Sequence, residues 1–232
     1  SGLTHVKSHA GSVSLWQIME DTGREYGLEV KDEVDERYHL EKATHAACRY
    51  LRKAYEKLGS WTLAAASYNM GISGVRRQLE RQSGNDFYDL TLNPETARYL
   101  YRLLAVKEIM EQPRDYGFHL RAQDSYQPIP TRTVEVDTAI DDLGAFATGL
   151  GINYRILKFH NPWLRYEYLP RKAGKTYQIE IPDTAHFQLA EELSAVRPDG
   201  ILPGADSSSV RPATKPQAPG QMSNPADTTS RP

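Results

Sequence analysis

Residues 40–59, LEKATHAACRYLRKAYEKLG, decide the fold class of the first half of the chain. Apolar residues recur there every three or four positions, which is the spacing of one face of an α-helix. Gly59 is placed to end the helix, because glycine readily takes the left-handed conformation that follows many helix C-termini. The stretch therefore predicts a long helix whose buried face consists of Ala43, Ala46, Ala47, Tyr50, Leu51, Ala54, Tyr55 and Leu58.

Two shorter helices are predicted directly after this one. Residues 61–70, WTLAAASYNM, follow Ser60, a candidate N-cap, and precede Gly71, which is expected to end the helix. The alanines of this segment allow close packing in a core. Residues 74–82, GVRRQLERQ, follow Ser73, a second candidate N-cap.

The clearest helix signal lies at residues 93–113, NPETARYLYRLLAVKEIMEQP. Asn93 is a favourable N-cap, Pro94 suits the first helical position, and Pro113 closes the segment. Residues 1–112 together predict an all-helical domain, so the fold class expected is mainly α.

The pattern changes after a predicted linker at residues 113–130. Alternating apolar and polar residues predict two strands, and two short helical stretches lie between them. The result is a β-α-α-β module of about 50 residues, at residues 131–183. Its segments are TRTVEVD (131–137), AIDDLGAFATGLG (139–151), NYRILKFHNP (153–162) and KTYQIEIP (175–182).

Residues 184–232 are expected to form a short helix and then a disordered C-terminal tail. From Pro198 onward the chain is rich in Pro, Ser, Thr, Asp and Gly. Such a composition offers too little apolar surface to offset the entropy lost on ordering.

Composition excludes several classes of protein. A formal net charge of -2 gives no basis for binding nucleic acid. No stretch approaches the ~20 apolar residues that span a bilayer. The single cysteine, Cys48, excludes an internal disulfide and is expected to be a small buried hydrophobe. No metal or other cofactor is expected, because His5 and His9, four positions apart in a predicted loop, are the nearest approach to a ligand spacing.

Three clusters in the helical half carry chemical interest beyond packing. Considered singly, each has a structural interpretation: Gln17 can cap a helix, Asn69 can end one, and Tyr99 can pack in a core. Their order along the chain is what indicates function. The clusters are GSVSLWQ (11–17), ASYNMG (66–71) and ETARY (95–99).

In this order the clusters resemble the lytic transglycosylase family, which has the goose-type lysozyme fold, and within it the membrane-bound D type. SLWQ at 14–17 matches a Gly-Leu-Met-Gln-like motif, with Ser14 where glycine is usual. SYNMG at 67–71 matches Ala-Tyr-Asn-x-Gly, with Ser67 in place of alanine. Tyr99 matches the tyrosine that follows a Glu-Thr pair in the last helix. Two further stretches also resemble this family: DTGREYGL (21–28) and DERYHLEKAT (35–44).

Ser1 matches the serine of the family's Glu-Ser pair. The resemblance therefore implies that the catalytic glutamate immediately precedes Ser1, and that the transglycosylase domain is truncated at its N-terminus. No catalytic residue is then expected within the 232 residues, and this chain by itself is expected to be inactive. The glutamates after the glutamine motif are expected to be solvated surface charges: Glu20, Glu25, Glu29, Glu33 and Glu36.

The resemblance also implies substrate-binding roles for the matched side chains. Ser1 would hydrogen-bond the glutamate or the substrate. Gln17 and Asn69 would orient the N-acetyl group and sugar hydroxyls, because a carboxamide offers both donors and an acceptor. Tyr99 would hydrogen-bond the catalytic carboxyl and pack against it. Trp16 would line the sugar cleft, with a place in the core as an equal alternative.

The reaction implied is cleavage of the β-1,4 bond between N-acetylmuramic acid and N-acetylglucosamine in peptidoglycan, leaving 1,6-anhydro ends. Most glycosidases need two carboxylates. In this family one glutamate protonates the leaving oxygen and then deprotonates the muramic acid's own 6-hydroxyl, which attacks intramolecularly. Two alternatives stay open: a peptidoglycan-binding protein without catalysis, and a goose-type lysozyme that hydrolyses with water.

The β-α-α-β module resembles a divergent LysM-like module. Asn161-Pro162 matches the end of its second helix, and residues 175–182 match its last strand. Asp137-Thr138-Ala139 stands where a glycine-aspartate turn is usual. Two roles stay open for the module: binding chains that contain N-acetylglucosamine, or bracing the catalytic domain.

The resemblance implies peptidoglycan glycan strands as the partner. It places the protein in the cell envelope of a Gram-negative bacterium, either in the periplasm or associated with the outer membrane. Attachment to a membrane would then depend on sequence N-terminal to Ser1.

Overall fold

The computed structural model describes residues 6–126 and 128–183, and it confirms a mainly α fold with a small α+β module. Ser1 and the predicted helix and tail at 184–232 lie outside the described residues. The helices are α1 (Glu20–Glu25), α2 (Leu40–Leu58), α3 (Trp61–Met70), α4 (Ile72–Gln82), α5 (Pro94–Glu111), α6 (Leu143–Gly149) and α7 (Tyr154–His160). The strands are β1 (Thr131–Val136) and β2 (Tyr177–Pro182), and the predicted linker at 113–130 contains 3-10 turns at Pro113–Tyr116 and Ala122–Asp124.

The predicted C-terminal end of α2 and the predicted N-cap of α5 are both confirmed. Gly59 ends α2 in the left-handed conformation, with φ 74°. Asn93 caps α5, since its side-chain oxygen accepts a hydrogen bond from the backbone N–H of Thr96 at 2.9 Å. The prediction that Ser73 caps α4 is wrong. Gly71, with φ 79° and ψ 152°, turns the chain directly from α3 into α4 and takes the cap position itself.

Helix α3 lies at the centre of the helical half and packs against α2, α4 and α5. Ala64 and Ala66 are fully buried, and their small side chains let the neighbouring helices approach closely. The prediction of close packing by these alanines is confirmed. The core beside them consists of Leu63, Val75, Phe87 and Leu100.

Cys48 is exposed on the outer side of α2, so the prediction of a buried thiol is wrong. Ala43, Ala46, Ala47 and Ala54 define the buried stripe of this helix. Each residue is rotated by about 100° from the one before it, so the position after Ala47 turns away from the core.

The module at residues 131–183 is an antiparallel strand pair covered by α6 and α7. The register runs from Thr131 opposite Pro182 to Val136 opposite Tyr177. Asn161, fully buried at the end of α7, fixes this helix to β2. Its side-chain nitrogen donates to the Glu180 carbonyl at 2.7 Å, and its oxygen accepts from the Glu180 N–H at 2.8 Å.

The core of the module continues into the first forty residues of the chain. Val13, Val34 and Tyr38 belong to the same buried cluster as module residues such as Leu164 and Ile179. Backbone hydrogen bonds reinforce the contact, because the Asp35 N–H donates to the Trp163 carbonyl at 2.9 Å and the Arg165 N–H to Glu33 at 2.8 Å. The helical half and the module therefore bury one common hydrophobic cluster, whereas their division at residues 112 and 131 stays a prediction.

Aromatic rings continue the same contact. The Trp163 ring stacks with both His39 and Tyr177, with centroid distances of 6.1 and 5.7 Å. Burial lowers the pKa of His39, so the imidazole stays neutral at neutral pH. The stack thus presents largely apolar faces to the interior.

Two carboxylates are buried beside this stack, so the prediction of solvated surface charge is wrong for Glu29 and Glu36. Their side chains are 6% and 5% exposed. Lys172 and Lys175 from the module and Lys42 from α2 pair with them. Sequence spacing gave no sign of these pairs, because the two lysines of the module lie more than 130 positions away along the chain.

Glu36 makes this cluster sensitive to acid. Burial alone would raise the pKa of its carboxyl. The N–H of Glu29, at 2.7 Å, and the ammonium groups of Lys42 and Lys175 outweigh burial and bring the pKa of Glu36 down to about 2. A carboxyl with a lowered pKa stabilises the folded state above its unfolded pKa and loses that contribution as pH falls.

We expect the Glu36 contribution, ~2–3 kcal/mol, to disappear as pH falls from the ordinary value of 4.5 to about 2. Urea unfolding of wild type and Glu36→Gln across this range should give curves that converge at the acid end. Glu56→Gln, on the exposed side of α2, is the control and should run parallel to wild type. A constant gap between wild type and Glu36→Gln at every pH would contradict this assignment.

Candidate functional site

Residues 6–18, the Gln17 loop, form irregular turns instead of a helix. Isolated antiparallel bridges join Lys7 to Val13 and Val13 to Ile18. Ser14 and Gln17 both lie in the left-handed region, with φ 67° and 50°. This conformation costs an L-residue about 1–2 kcal/mol, so the loop depends on contacts that hold it in place.

The Gln17 side chain supplies several of those contacts. Its nitrogen donates to the carbonyls of Ser14, at 2.6 Å, and Val6, at 3.2 Å. Its oxygen accepts from the Ser12 hydroxyl at 2.9 Å. Both N–H groups of the carboxamide are therefore engaged within the loop, and one lone pair of the oxygen is left for another donor.

Asn69 lies across from the loop, near the end of α3, with its carboxamide oriented by α5. Its oxygen accepts from the Thr96 hydroxyl at 2.6 Å, and its nitrogen lies 3.3 Å from a carboxylate oxygen of Glu95. Thr96 is fully buried and its N–H is fixed by Asn93. These contacts fix which end of the Asn69 amide is the donor.

Aromatic residues line the space between the loop and α5. Tyr68 donates from its hydroxyl to the Trp16 carbonyl at 2.8 Å, and the two rings meet edge to face. Trp16 donates to the Thr44 hydroxyl at 2.7 Å and also packs on the small core of Ile18 and Leu28. Burial raises the pKa of both Tyr68 and Tyr99, so their phenols stay protonated and can donate hydrogen bonds.

Three adjoining cavities make up one cleft around these residues. The polar cavity, about 670 Å³, is lined by Trp16, Gln17, Asn69, Glu95 and Tyr99. An apolar cavity of about 410 Å³ shares Trp16 and Tyr99 with it, and a smaller one of about 190 Å³ shares Gln17 and Asn69. Four of the five predicted site residues thus converge on one space, and Ser1 lies outside the described residues.

The apolar cavity extends the cleft along α3 and α5. Its wall includes Trp61, Leu103 and Leu104, each of which is about half exposed to solvent. The two alternatives for Trp16, the cleft and the core, both hold: its side chain lines two of the cavities and also packs on a core cluster.

Several residues of the cleft were missed in the sequence. Glu95 is the one carboxylate among the described residues that line the three cavities. Tyr50 and Tyr68 line the cleft as well. Thr96 orients Asn69 by donating a hydrogen bond to its side-chain oxygen. Glu95, Thr96 and Tyr68 stand inside the ETARY and SYNMG clusters, so the motif positions themselves carried the signal. The first turn of α5, where Glu95 lies, favours negative charge through the helix dipole.

Comparison with known proteins gives this cleft a class. Residues 1–91, which include Gln17 and Asn69, match the transglycosylase SLT domain, and residues 132–185 match the soluble lytic transglycosylase C-terminal LysM-like domain. The chain thus carries an SLT transglycosylase domain followed by a LysM-like domain.

The chain is also similar to membrane-bound lytic murein transglycosylase D of Escherichia coli. The proteins of strain K12 and of strain O6:H1 are each 28% identical to this chain over 196 residues. The similarity covers 82% of this chain and 42% of each relative, so the chain spans less than half the length of the curated relatives it matches.

We expect Ser14→Gly to be more stable than Ser14→Ala by about 0.5–1 kcal/mol. Both substitutions remove the hydroxyl, but glycine adopts φ near 67° without the strain that a residue with a Cβ suffers there. The greater conformational entropy of glycine in the unfolded chain offsets part of this gain. Urea unfolding of the two variants isolates the backbone term. Equal stabilities, or a more stable alanine variant, would contradict a strained Ser14.

Proposed function

We propose that this chain belongs to the glycan-cleaving part of a peptidoglycan lytic transglycosylase. Together with the glutamate proposed below, that part would cut the β-1,4 bond between N-acetylmuramic acid and N-acetylglucosamine and leave 1,6-anhydro-muramic ends. The observation that carries the proposal is the convergence of Gln17, Asn69 and Tyr99, from three separate segments, on one cleft within a chain that carries an SLT domain.

The chemistry follows from one carboxyl group, which we propose is a glutamate encoded directly before Ser1. In its acid form it gives a proton to the glycosidic oxygen, and the bond from that oxygen to the anomeric carbon breaks. The carboxylate then takes the proton of the muramic acid's 6-hydroxyl as this oxygen bonds to the same carbon. No water is consumed, because an internal nucleophile has a high effective molarity.

The residues of the cleft would bind and orient the sugar. The Asn69 amide, fixed by Thr96, is suited to an N-acetyl group, whose N–H and carbonyl need one acceptor and one donor. The phenol of Tyr99, kept protonated by burial, is suited to donate to the reacting carboxyl. Gln17 would act chiefly through the shape of its loop, because its N–H groups are already bonded there.

A hydrolytic lysozyme is the second candidate, and Glu95 is the observation that favours it. A hydrolase needs a second carboxylate to activate water, and Glu95 lines the same cavity as Asn69. A binding protein without catalysis is the remaining candidate, and it would need only the cleft.

The cell envelope of a Gram-negative bacterium is the proposed location, with the periplasm as the compartment. The support is the name of the relatives, which are membrane-bound murein transglycosylases. Among the residues that the structure describes, no helix is both long and apolar enough to cross a bilayer.

We expect a chain extended N-terminally through the encoded glutamate to release muropeptides from peptidoglycan, and the 232-residue chain to be slower by about 100- to 10,000-fold, the usual contribution of a general acid. The products should carry 1,6-anhydro ends, about 18 Da lighter than reducing ends because no water is added. Mass spectrometry of the released fragments measures both.

Three results would decide against this scheme. Comparable rates for the two chains would mean that the glutamate before Ser1 is not the general acid. Reducing, hydrated ends that disappear in Glu95→Gln would favour the lysozyme. Binding with no release by either chain would favour the protein without catalysis.

We expect the chain to bind chitooligosaccharides weakly, at high micromolar to millimolar concentration or ~4–6 kcal/mol, because the acid contributes more to rate than to affinity. Asn69→Ala should weaken this binding. Thr96→Val, which keeps the volume but removes the hydroxyl that orients Asn69, should weaken it less. Titration calorimetry measures each affinity. Unchanged binding in the double variant Asn69→Ala, Gln17→Ala would place the contacts in the LysM-like module instead.

A further inference from the structure

We propose that the LysM-like module is a positioning element for the cleft, and that it acts through Arg37 on the Gln17 loop. This rests on the proposed function, since the loop forms one wall of the cleft. Arg37 touches neither cavity that holds Gln17, so it is a positioning residue and not a catalytic one.

Arg37 joins the loop to a buried carboxylate. Its side chain is 8% exposed, and its guanidinium forms a two-point pair with Asp35, at 2.9 and 2.7 Å. The remaining nitrogen points to the carbonyls of Ile18, at 3.3 Å, and Gly11, at 3.4 Å. These two carbonyls lie on either side of the Ser14–Gln17 turn, so one planar group spans the turn that carries Gln17.

The module contacts Asp35, the other member of this ion pair. The N–H of Asp35 donates to the Trp163 carbonyl, and Val34 pairs with Leu164 as an antiparallel bridge. Residues 33–35 therefore run as a short added strand beside module residues 163–165. The Asp35 carboxylate, and with it the Arg37 guanidinium, has its position set by the module backbone.

A second contact reaches the loop by packing. Val13, 2% exposed, lies in the buried cluster that the module supplies. It directly follows Ser12, whose hydroxyl donates to the Gln17 oxygen at 2.9 Å. The module thus restrains the loop at Val13 and, through Arg37, at Gly11 and Ile18.

The loop needs such restraint because its own conformation is costly. Ser14 and Gln17 both occupy left-handed backbone, which persists only where the surroundings over-determine it. A lysine at position 37 would keep the charge but lose the planar fork that reaches Asp35 and two carbonyls together. The module therefore contributes to the reaction without touching the sugar.

The test measures Gln17 directly in the full 232-residue chain. Hydrogen exchange of the Gln17 side-chain amide, followed by NMR without ligand, should be about tenfold or more faster in Arg37→Lys than in wild type. Val75→Ala is the control, since it weakens the separate helical core and should leave Gln17 exchange unchanged at matched stability. Where Arg37→Lys does not fold, Leu164→Val makes the same test from the module side.

A glycan titration separates this inference from the proposed function. Arg37→Lys should weaken chitooligosaccharide binding in wild type but have little further effect in a Gln17→Ala background, because coupled residues are non-additive. Gln17 exchange that is unchanged in Arg37→Lys, or raised equally in Val75→Ala, would overturn the positioning role. Faster exchange in a chain that binds no glycan would support the positioning role and overturn the proposed function.

Discussion

The buried pair of Asp35 and Arg37 is the interaction on which the rest of the structure depends. Charges removed from water are costly unless every donor and acceptor is satisfied, and here the carboxylate meets the guanidinium at two points while the spare nitrogen meets two carbonyls. The backbone of Asp35 is at the same time part of a strand pairing with the module. One pair thus joins the cleft loop, the segment before α2 and the LysM-like module.

The polar side chains of the cleft are likewise held in place by hydrogen bonds from neighbouring residues. Asn69 is oriented by Thr96, which is buried and in turn fixed by the cap of α5. Gln17 is oriented by its own loop. A displacement of about 1 Å in a group that positions a reactant can be costly to a reaction. The shape of the cavity therefore depends on residues behind it, such as Thr96 and Asn93, as well as on the residues that line it.

The helical fold was largely predictable from the sequence, because caps and periodicity are local. Gly59 and Asn93 end and begin helices for reasons contained within a few residues. Ser73 was not a cap, since Gly71, two residues before it, already provided the turn and α4 begins at Ile72. The exposure of Cys48 follows from the same periodicity, because its position lies outside the stripe of buried alanines on α2, and the prediction from residue type was wrong.

The polar interior was not predictable, because it is made by partners that lie far apart in the chain. Glu29 and Glu36 belong to a stretch rich in charge, and only the distant lysines of the module explain their burial. The cleft is an intermediate case. Motif order brought Gln17, Asn69 and Tyr99 together, whereas Glu95 stood inside a quoted motif and gained a meaning only from its position opposite Asn69.

The common cluster of Val13 and Ile181 has a consequence for biosynthesis. The segment that holds Val13 cannot complete its core until β2, near the end of the described chain, has also emerged from the ribosome. Contacts between such distant residues close large loops and slow the search for the folded state. During that interval Val13, Val34 and Tyr38 stay open to water, and exposed apolar surface of this kind favours aggregation until the module has folded.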